Sequence, residues 1–303
     1  MAARNEARRI LVLSLRARPE AASEIVAALE AAGASRRALD WASLALSDVG
    51  TPQAEAALLR RTRAVLAEEP SALLLQHVSR QVRPGADSVA FLDELAFTPG
   101  VDAHLRNRAH LALGALVGNG RLPLAVEGQA RARLLEALAA AEGTSEQAQA
   151  LVALGNTRDP SLAPQVSGYL SAESPAVRAQ AWRTLIQLGA DVRPRALLAA
   201  MGRDPQSPGR NMVAQELLPM CSAPDEEDLK LAWSLVQDSP ADPVLRGAAL
   251  GVLGRAAPRS PSTRALLAGW FHQEPIARLK KLIGRFVSAE ALRAARPAAP
   301  LGG

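Results

Sequence analysis

The chain has 303 residues, of which 49% are hydrophobic but only 3% aromatic, and its net charge is +5. Ala, Leu and Val supply most of the apolar residues, and few alternating strand patterns compete with helix formation, so the composition excludes a β-rich fold. The single cysteine, Cys221, excludes an intrachain disulfide and favours a reducing compartment. No apolar run approaches the roughly 20 residues of a membrane span.

The positive charge comes almost wholly from arginine, and the arginines are scattered among acidic residues rather than clustered with aromatic ones. This pattern argues against a nucleic-acid surface, which more often shows clustered basic residues with aromatics between them. The apolar run near the N-terminus is too short for the core of a secretory signal. If the chain is complete, we expect a cytoplasmic protein.

Proline and glycine recur at intervals that suit short antiparallel helices. A stop-and-start signal is clear at Gly50-Thr51-Pro52, where a left-handed glycine is followed by an N-cap and a proline at the first helical position. The predicted helices cover residues 6–16, 21–32, 36–48, 53–66, 71–78, 89–97, 102–117, 124–141, three within 148–190, 194–201, 213–220, 224–236, 243–256, 263–273 and 275–287.

An arginine-centred helix motif recurs three times. Its arginines, Arg106, Arg178 and Arg246, are 72 and 68 residues apart, or two units of about 34 to 36 residues, the period of helix-pair repeats. The pattern Val-Arg-x-x-Ala-x-x-x-Leu is typical of the inner helix of a HEAT-type repeat. We therefore predict an all-α solenoid, a right-handed superhelix of about 16 to 18 helices in antiparallel pairs. One repeat domain is expected over residues 1–292, followed by a tail or linker over 293–303.

An acidic residue precedes each motif: Asp102, Glu173 and Asp242. In such repeats an acid and an arginine can pair between neighbouring helices and tie one unit to the next. Small alanines let the backbones approach closely, and each helix pair buries its apolar face only against its neighbours. These residues are predicted to be structural.

The stretch from Leu151 to Pro160 contains a Gly155-Asn156 turn followed by Pro160. It resembles the Leu-x-Ala-Leu-Gly-Asn-x-x-x-Pro motif in the helical domain of large lipid transfer proteins. The helix at 106–117 and the Leu39-Asp40 and Gly50-Thr51 elements are similar to further parts of that domain. The resemblance implies a horseshoe of paired helices that contacts partners and wraps lipid-holding sheets. Lipid binding would then need additional β-rich domains, which residues 1–303 lack.

The residue types that usually perform catalysis are not arranged for it. The histidines His104 and His110 are six residues apart, a spacing that does not place two metal ligands on one helix face. Cys221 has no CxxC partner, and no phosphate-binding glycine loop or nucleophile motif occurs. The tryptophans, including Trp182 and Trp233, are interpreted as packing residues, although with Arg183 and Asp238 they could imitate a nucleic-acid enzyme. No catalytic residue, cofactor or metal is predicted.

The most suggestive surface is a basic, amphipathic stretch near the C-terminal end that contains Arg278, Lys280, Lys281 and Arg285. It is either a contact for a partner or membrane surface, or the solvated face of a terminal helix. The main hypothesis is a non-enzymatic scaffold whose concave face binds another polypeptide. The alternatives are lipid binding within a larger lipid-transfer-like protein, and a HEAT-like nucleic-acid-binding protein.

Overall fold

A computed structural model describes residues 2–68, 72–204, 209–239 and 242–295 of the protein. These residues form eighteen α-helices with short 3₁₀ and π segments between some of them, and they contain no strand. The all-α solenoid class and the number of helices are therefore confirmed, and the handedness of the superhelix stays a prediction. None of the described helices is both long enough and apolar enough to cross a bilayer.

The chain divides into two compact units, Met1–Leu162 and Ala163–Gly303. The prediction of one continuous repeat domain over residues 1–292 stays a prediction. The first unit contains α1 (Ala2–Ala17), α2 (Ala21–Ala31), α3 (Arg36–Val49), α4 (Pro52–Glu68), α5 (Ala72–Ser79), α6 (Ala86–Phe97), α7 (Ala103–Gly118), α8 (Leu124–Ala140) and α9 (Thr144–Asn156). The second contains α10 (Ala163–Ser167), α11 (Pro175–Gln187), α12 (Pro194–Arg203), α13 (Gly209–Met212), α14 (Glu226–Asp238), α15 (Pro243–Ala256), α16 (Pro261–Gln273), α17 (Ala277–Ile283) and α18 (Ala289–Ala294).

Two layers of helices build the first unit. The odd-numbered helices contact one another in order, α1 with α3, α3 with α5, α5 with α7 and α7 with α9. The even-numbered helices do the same from α2 to α8, and the layers meet through pairs such as α3 with α4 and α6 with α7. Each helix therefore buries its apolar face against sequence neighbours only, as expected of a helical repeat.

The second unit repeats this plan. In its odd layer, α11 contacts α13, the π segment that continues α13 contacts α15, and α15 contacts α17. In its even layer, α12 contacts α14 and α16 contacts α18. The arginine motifs of the sequence lie on α7, α11 and α15, so all three belong to odd layers. The periodic motif therefore lies in the odd layer of each unit.

Local sequence signals set many helix ends. The Ser35 hydroxyl accepts a hydrogen bond from the Ala38 amide at the start of α3, and Gly50 ends that helix with φ of 74°. The Thr51 hydroxyl then accepts from the Ala54 amide at 3.3 Å, and Pro52 occupies the first position of α4. The predicted stop-and-start signal is present, because only glycine adopts the left-handed conformation without strain while proline fits the first helical turn.

Two glycines allow α7 and α9 to lie unusually close. A Cβ atom on Gly114 would overlap the backbone carbonyl of Ala153, and one on Gly118 would overlap that of Asn156. Any larger residue at these positions would therefore force the helices apart. The close approach fixes α9 against its neighbour in the odd layer.

The structure departs from the predicted elements in its C-terminal half. Residues 213–220 form a π segment, Val213–Leu217, and a 3₁₀ turn, Leu218–Met220, instead of an α-helix. Pro219 has no amide hydrogen and so cannot continue an α-helical pattern. The helix predicted over 275–287 is shorter, Ala277–Ile283.

The predicted tail over residues 293–303 begins within a further helix. The Ser288 hydroxyl caps an additional helix, α18, by accepting from the Ala291 amide at 3.2 Å, so Arg293 and Ala294 are helical. The rest of that tail, residues 296–303, lies outside the described residues. The alanine-rich composition that suggested a linker also favours a helix once a capping residue is present.

Candidate protein-binding surface

The motif arginine of α11 ties this helix to the end of α12. Arg178 donates from Nε to Asp204 Oδ2 at 2.9 Å and from Nη2 to Oδ1 at 2.5 Å, a two-pronged pair with the acid that follows α12. It also donates to the backbone carbonyl of Glu173 at 2.7 Å. Glu173 therefore meets the arginine through its carbonyl, and the carboxylate comes from Asp204, a residue that the sequence reasoning did not identify.

The equivalent pair on α15 is inside the protein. Arg246 is 2% exposed and Glu274 is fully buried, and Arg246 Nη2 lies 3.0 Å from Glu274 Oε1. The carboxylate also accepts from Trp270 Nε1 at 3.1 Å and from the Ile276 amide at 3.0 Å. Every acceptor group of this buried carboxylate is thus satisfied, which a buried charge requires.

The predicted acids act mainly as helix caps. Asp102 accepts from the Leu105 amide at 3.0 Å at the start of α7, and Asp242 accepts from the Leu245 amide at 3.0 Å at the start of α15. Asp242 also pairs with Arg210 of α13. This cation and the amides lower the pKa of the Asp242 carboxyl against the opposing effect of burial. Asp242 therefore joins two odd-layer helices and caps one of them.

Arg106, the first of the three motif arginines, differs from the others. It is half-buried on α7, and within the described ranges it forms no ion pair. The repeated sequence motif is thus common to three helices, whereas the ion pair is present in only two of them.

The sequence predicts a turn at Gly155 and Asn156, but the turn lies two residues later in the structure. Both residues lie in the last turn of α9, and the chain reverses at Thr157 and Arg158, whose φ is 54°. The Asn156 side chain donates to the Leu111 carbonyl on α7 at 3.3 Å. Pro160 begins the 3₁₀ turn Pro160–Leu162. These residues hold α9 against α7, and the contact with α7 explains why the helix continues through Asn156.

The basic residues on α17 and just after it form the exposed part of the candidate binding surface. Leu279 and Ile283 of α17 are buried, whereas Arg278, Lys281 and Arg285 are exposed. Lys280 is half-buried, with its ammonium 5.7 Å from the centre of the Phe271 ring. Helical spacing places Arg278 and Lys281 on the same face, opposite the buried residues, and Arg285 follows in the turn after the helix. We call Arg278, Lys281 and Arg285 the basic stripe.

The cysteine and the tryptophans, which were weighed as possible catalytic residues, take part in packing. Burial raises the pKa of the Cys221 thiol to about 11, which keeps it protonated near neutral pH. Trp233 and Trp270 pack edge to face with ring centres 5.8 Å apart. Among the described residues, no group of three or more His, Cys, Asp or Glu side chains is placed to hold a metal ion.

Residues 131–218 match the sequence family of HEAT repeats. A search of curated proteins finds no significant match. The match covers these 88 residues, and the layered arrangement of the described helices shows an all-α helical repeat. The resemblance to the helical domain of lipid transfer proteins stays a prediction.

Proposed function

We propose that the protein is a non-enzymatic scaffold that binds another polypeptide along its odd layer. The HEAT inner-helix motif lies on odd-layer helices, so this layer would supply the concave face that such repeats use for binding. The observation that carries the proposal is a series of arginine–acid pairs that starts from the odd-layer helices of the second unit. Arg178 pairs with Asp204 at the end of α12, Arg210 with Asp242 at the start of α15, and Arg246 with Glu274 at the end of α16. These pairs hold neighbouring helices in fixed register and so support a pre-formed binding surface.

The helices α15 and α16 differ in how much of their surface is exposed. Every residue of α15 is buried or half-buried, whereas its even-layer neighbour α16 exposes half of its residues, including Arg264 and Leu266. Gly251 lies in the middle of α15, and a Cβ atom there would meet no other atom within 4 Å. A partner polypeptide could therefore approach α15 at Gly251 without displacing side chains.

A matched pair of glycine substitutions tests the proposal. Gly251→Trp places a large side chain on the odd layer, and Gly128→Trp does the same on the even-layer helix α8, where a Cβ would also meet nothing within 4 Å. The natural partner is identified by cross-linking the intact chain, and its binding to each purified variant is then measured by calorimetry. We expect Gly251→Trp to weaken binding at least about tenfold and Gly128→Trp to leave it unchanged, because truncating or blocking a central contact typically removes more than about 1 kcal/mol. Equal binding by both variants, or substrate turnover by the chain without a partner, would contradict the proposal.

Direct lipid binding by the chain itself is the second proposal, and it rests on the sequence resemblance over Leu151 to Pro160. Native mass spectrometry of the purified chain should then detect bound lipid. A lipid-free chain that still binds its polypeptide partner would exclude lipid binding by residues 1–303 and leave the scaffold proposal intact.

A further inference from the structure

The first unit contains a groove whose lining combines buried polar, charged and apolar side chains. The even-layer helices α2 and α4 and the odd-layer helices α3 and α5 contribute this lining. The groove encloses about 470 Å³, within the range of roughly 300 to 1,000 Å³ that is typical of ligand pockets. We call it the α2–α5 groove, and the lining residues that matter below are Leu39, Asp40, Arg61, Val65, Glu68 and Leu74.

Arg61 is the buried polar group of the groove. Its side chain is 5% exposed, its Nε donates to Ser43 Oγ at 3.0 Å, and its Nη1 donates to Glu30 Oε1 at 2.8 Å. The remaining nitrogen, Nη2, has no hydrogen-bond partner among the described residues and is not fully enclosed by protein. A guanidinium has five N–H donors, so those of Nη2 are available to a molecule in the groove.

The charge of Arg61 decides which acceptor suits Nη2. Glu30 already neutralises the guanidinium, and a second carboxylate placed there would be left without a cation of its own. A neutral acceptor avoids this cost. The carbonyl oxygen of a peptide backbone is therefore the group that best matches the free donors.

Two carboxylates of the groove are available for a cation. Asp40 on α3 and Glu68 at the end of α4 form no ion pair with another described residue. Arg36 is the other cation of the lining, which thus contains three acids and two arginines and is negative overall. The charge of the groove complements a basic ligand.

Apolar side chains complete the lining. Leu74 is 1% exposed, and Leu39 and Val65 are half-buried. The aliphatic stem of an arginine or lysine packs against such a surface while its charged head stays near water and a carboxylate. Backbone carbonyl, apolar stem and cation, the three parts of a basic residue within a polypeptide, each have a matching group in the groove.

We propose that the α2–α5 groove binds a basic segment of a partner polypeptide and holds one arginine or lysine of that segment. The inference rests on the proposed scaffold function and adds a contact in the first unit. A backbone carbonyl of the segment accepts from Arg61 Nη2, and the bound cation pairs with Asp40 and Glu68. Exposed ion pairs are weak, so the affinity of this contact is modest and falls with salt.

The charge test uses the full chain and calorimetry at low salt. The probe is an eight-residue peptide of alternating Arg and Leu with both ends capped, and the control peptide has Glu in place of Arg. The wild type should bind the Arg peptide at least about tenfold more tightly than the Glu peptide, and D40N/E68Q should weaken this binding at least about fivefold. Equal affinity for the two peptides would contradict the proposal.

A matched variant controls for net charge. E142Q/D238N removes one Glu and one Asp that are exposed and form no ion pair among the described residues, and it should bind the Arg peptide as the wild type does. If this variant loses as much affinity as D40N/E68Q, net charge alone attracts the peptide and the groove is not the site.

A steric pair and a donor variant test the groove itself. Ala64 lines the groove and Ala132 lies on α8, and both are exposed, so each accepts a tryptophan at little cost to folding. A64W should abolish binding of the Arg peptide, whereas A132W should leave it unchanged. R61K keeps a cation beside Glu30 without Nη2 and should bind at least about threefold more weakly. Full binding by A64W would overturn the proposal even if R61K does not fold.

Other occupants of the groove give different results. Arginine amide that binds as tightly as the peptide would replace the proposal with a site for a small cation. A wild-type dimer in sedimentation experiments that A64W converts to a monomer would replace it with an interface between two copies of the chain.

The scaffold proposal and this inference fail in different ways. If the identified partner binds A64W as tightly as the wild type but is blocked by Gly251→Trp, the scaffold function holds and the inference about the groove is wrong. If A64W weakens partner binding and Gly251→Trp does not, the groove is a binding site and the assignment of binding to the odd layer is wrong. Cross-links from the groove to a basic segment of the partner would support the inference.

Discussion

Individual side chains decide how the odd-layer helices of this protein meet. The pair between Arg246 and Glu274 illustrates the physical requirement most clearly, because both charges have left water and each needs the other. The pair of Arg183 with Glu216 joins side chains that remain 40% and 52% exposed. Water solvates these charges whether or not they pair, so the two ion pairs should differ greatly in their effect on stability.

Arg246→Met should lower the free energy of unfolding by about 3 to 5 kcal/mol, because it leaves the Glu274 carboxylate buried without its cation. Arg183→Met should lower it by less than about 1 kcal/mol. Urea denaturation followed by circular dichroism measures both values. The double variant R246M/E274L should recover much of the loss, since an apolar pair removes the unpaired charge. A loss in the double variant as large as the two single losses together would show that the pair is not coupled.

His77 provides a pH-dependent prediction. It is 8% exposed, neither ring nitrogen has a hydrogen-bond partner within the described residues, and burial lowers the pKa of its imidazole, with Arg80 adding to this effect and Asp40 and Asp48 opposing it. As the pH falls below the unfolded pKa of about 6.5, the unfolded chain takes up a proton that the folded chain resists, so the folded state loses stability.

His77→Leu should therefore be more stable than the wild type at pH 5.5, and the difference should shrink towards pH 7.5. An unsatisfied buried polar group costs about 1 to 3 kcal/mol, so some gain should remain at the higher pH. Thermal unfolding at several pH values checks this, with the exposed His104→Gln as the control. A parallel pH dependence in His77→Leu and the wild type would contradict the role assigned to His77.

At the scale of the helices, proline and glycine made most of the boundaries predictable. The end of α3 at Gly50 and the start of α4 at Pro52 follow from backbone conformations that few other residues share. The position of the chain reversal after α9 was not predictable in this way. Gly155 and Asn156 remain helical because α9 packs against α7, and this contact depends on residues about 40 positions away in the sequence.

Gly114→Ala should destabilise the protein by about 1 to 3 kcal/mol, because the added methyl group meets the Ala153 carbonyl and forces α7 and α9 apart. Gly128→Ala on α8 meets no atom within 4 Å, and it should stabilise the protein by about 0.5 to 1 kcal/mol through the better helix propensity of alanine. Chemical denaturation of the two variants measures the contrast. Similar effects of the same sign would show that α7 and α9 are free to move apart.

Throughout the molecule, helices contact their neighbours in the sequence. The stability of each region should therefore depend mainly on the helices close to it in the chain. The layered plan of each unit was predictable from the repeated motif, because a helix pair of this kind can bury its apolar face only against another. The acids that complete the arginine–acid pairs of the second unit were not predictable. Asp204 and Glu274 are 26 and 28 residues from their arginines, and nothing in their immediate sequence distinguishes them from solvated carboxylates.

Hydrogen exchange tests this dependence on neighbouring helices. Gly114→Ala should increase amide exchange in α7 and in the helices that pack against it, α5, α6, α8 and α9, and leave exchange in α14 to α16 close to that of the wild type. Mass spectrometry of peptic fragments resolves the two regions. A uniform increase across all helices would instead indicate that the chain opens as one cooperative unit.

The three arginine–acid pairs of the second unit have a consequence for how this protein can evolve or be redesigned. The three acids do not share one structural position: Asp204 and Glu274 directly follow the even-layer helices α12 and α16, whereas Asp242 caps α15. A repeat moved to another place in the chain would therefore present its arginine to a neighbour without a suitably placed carboxylate. Repeats of this protein should not be interchangeable modules, and duplication or shuffling would succeed only when an arginine and its acid travel together across the junction between two repeats.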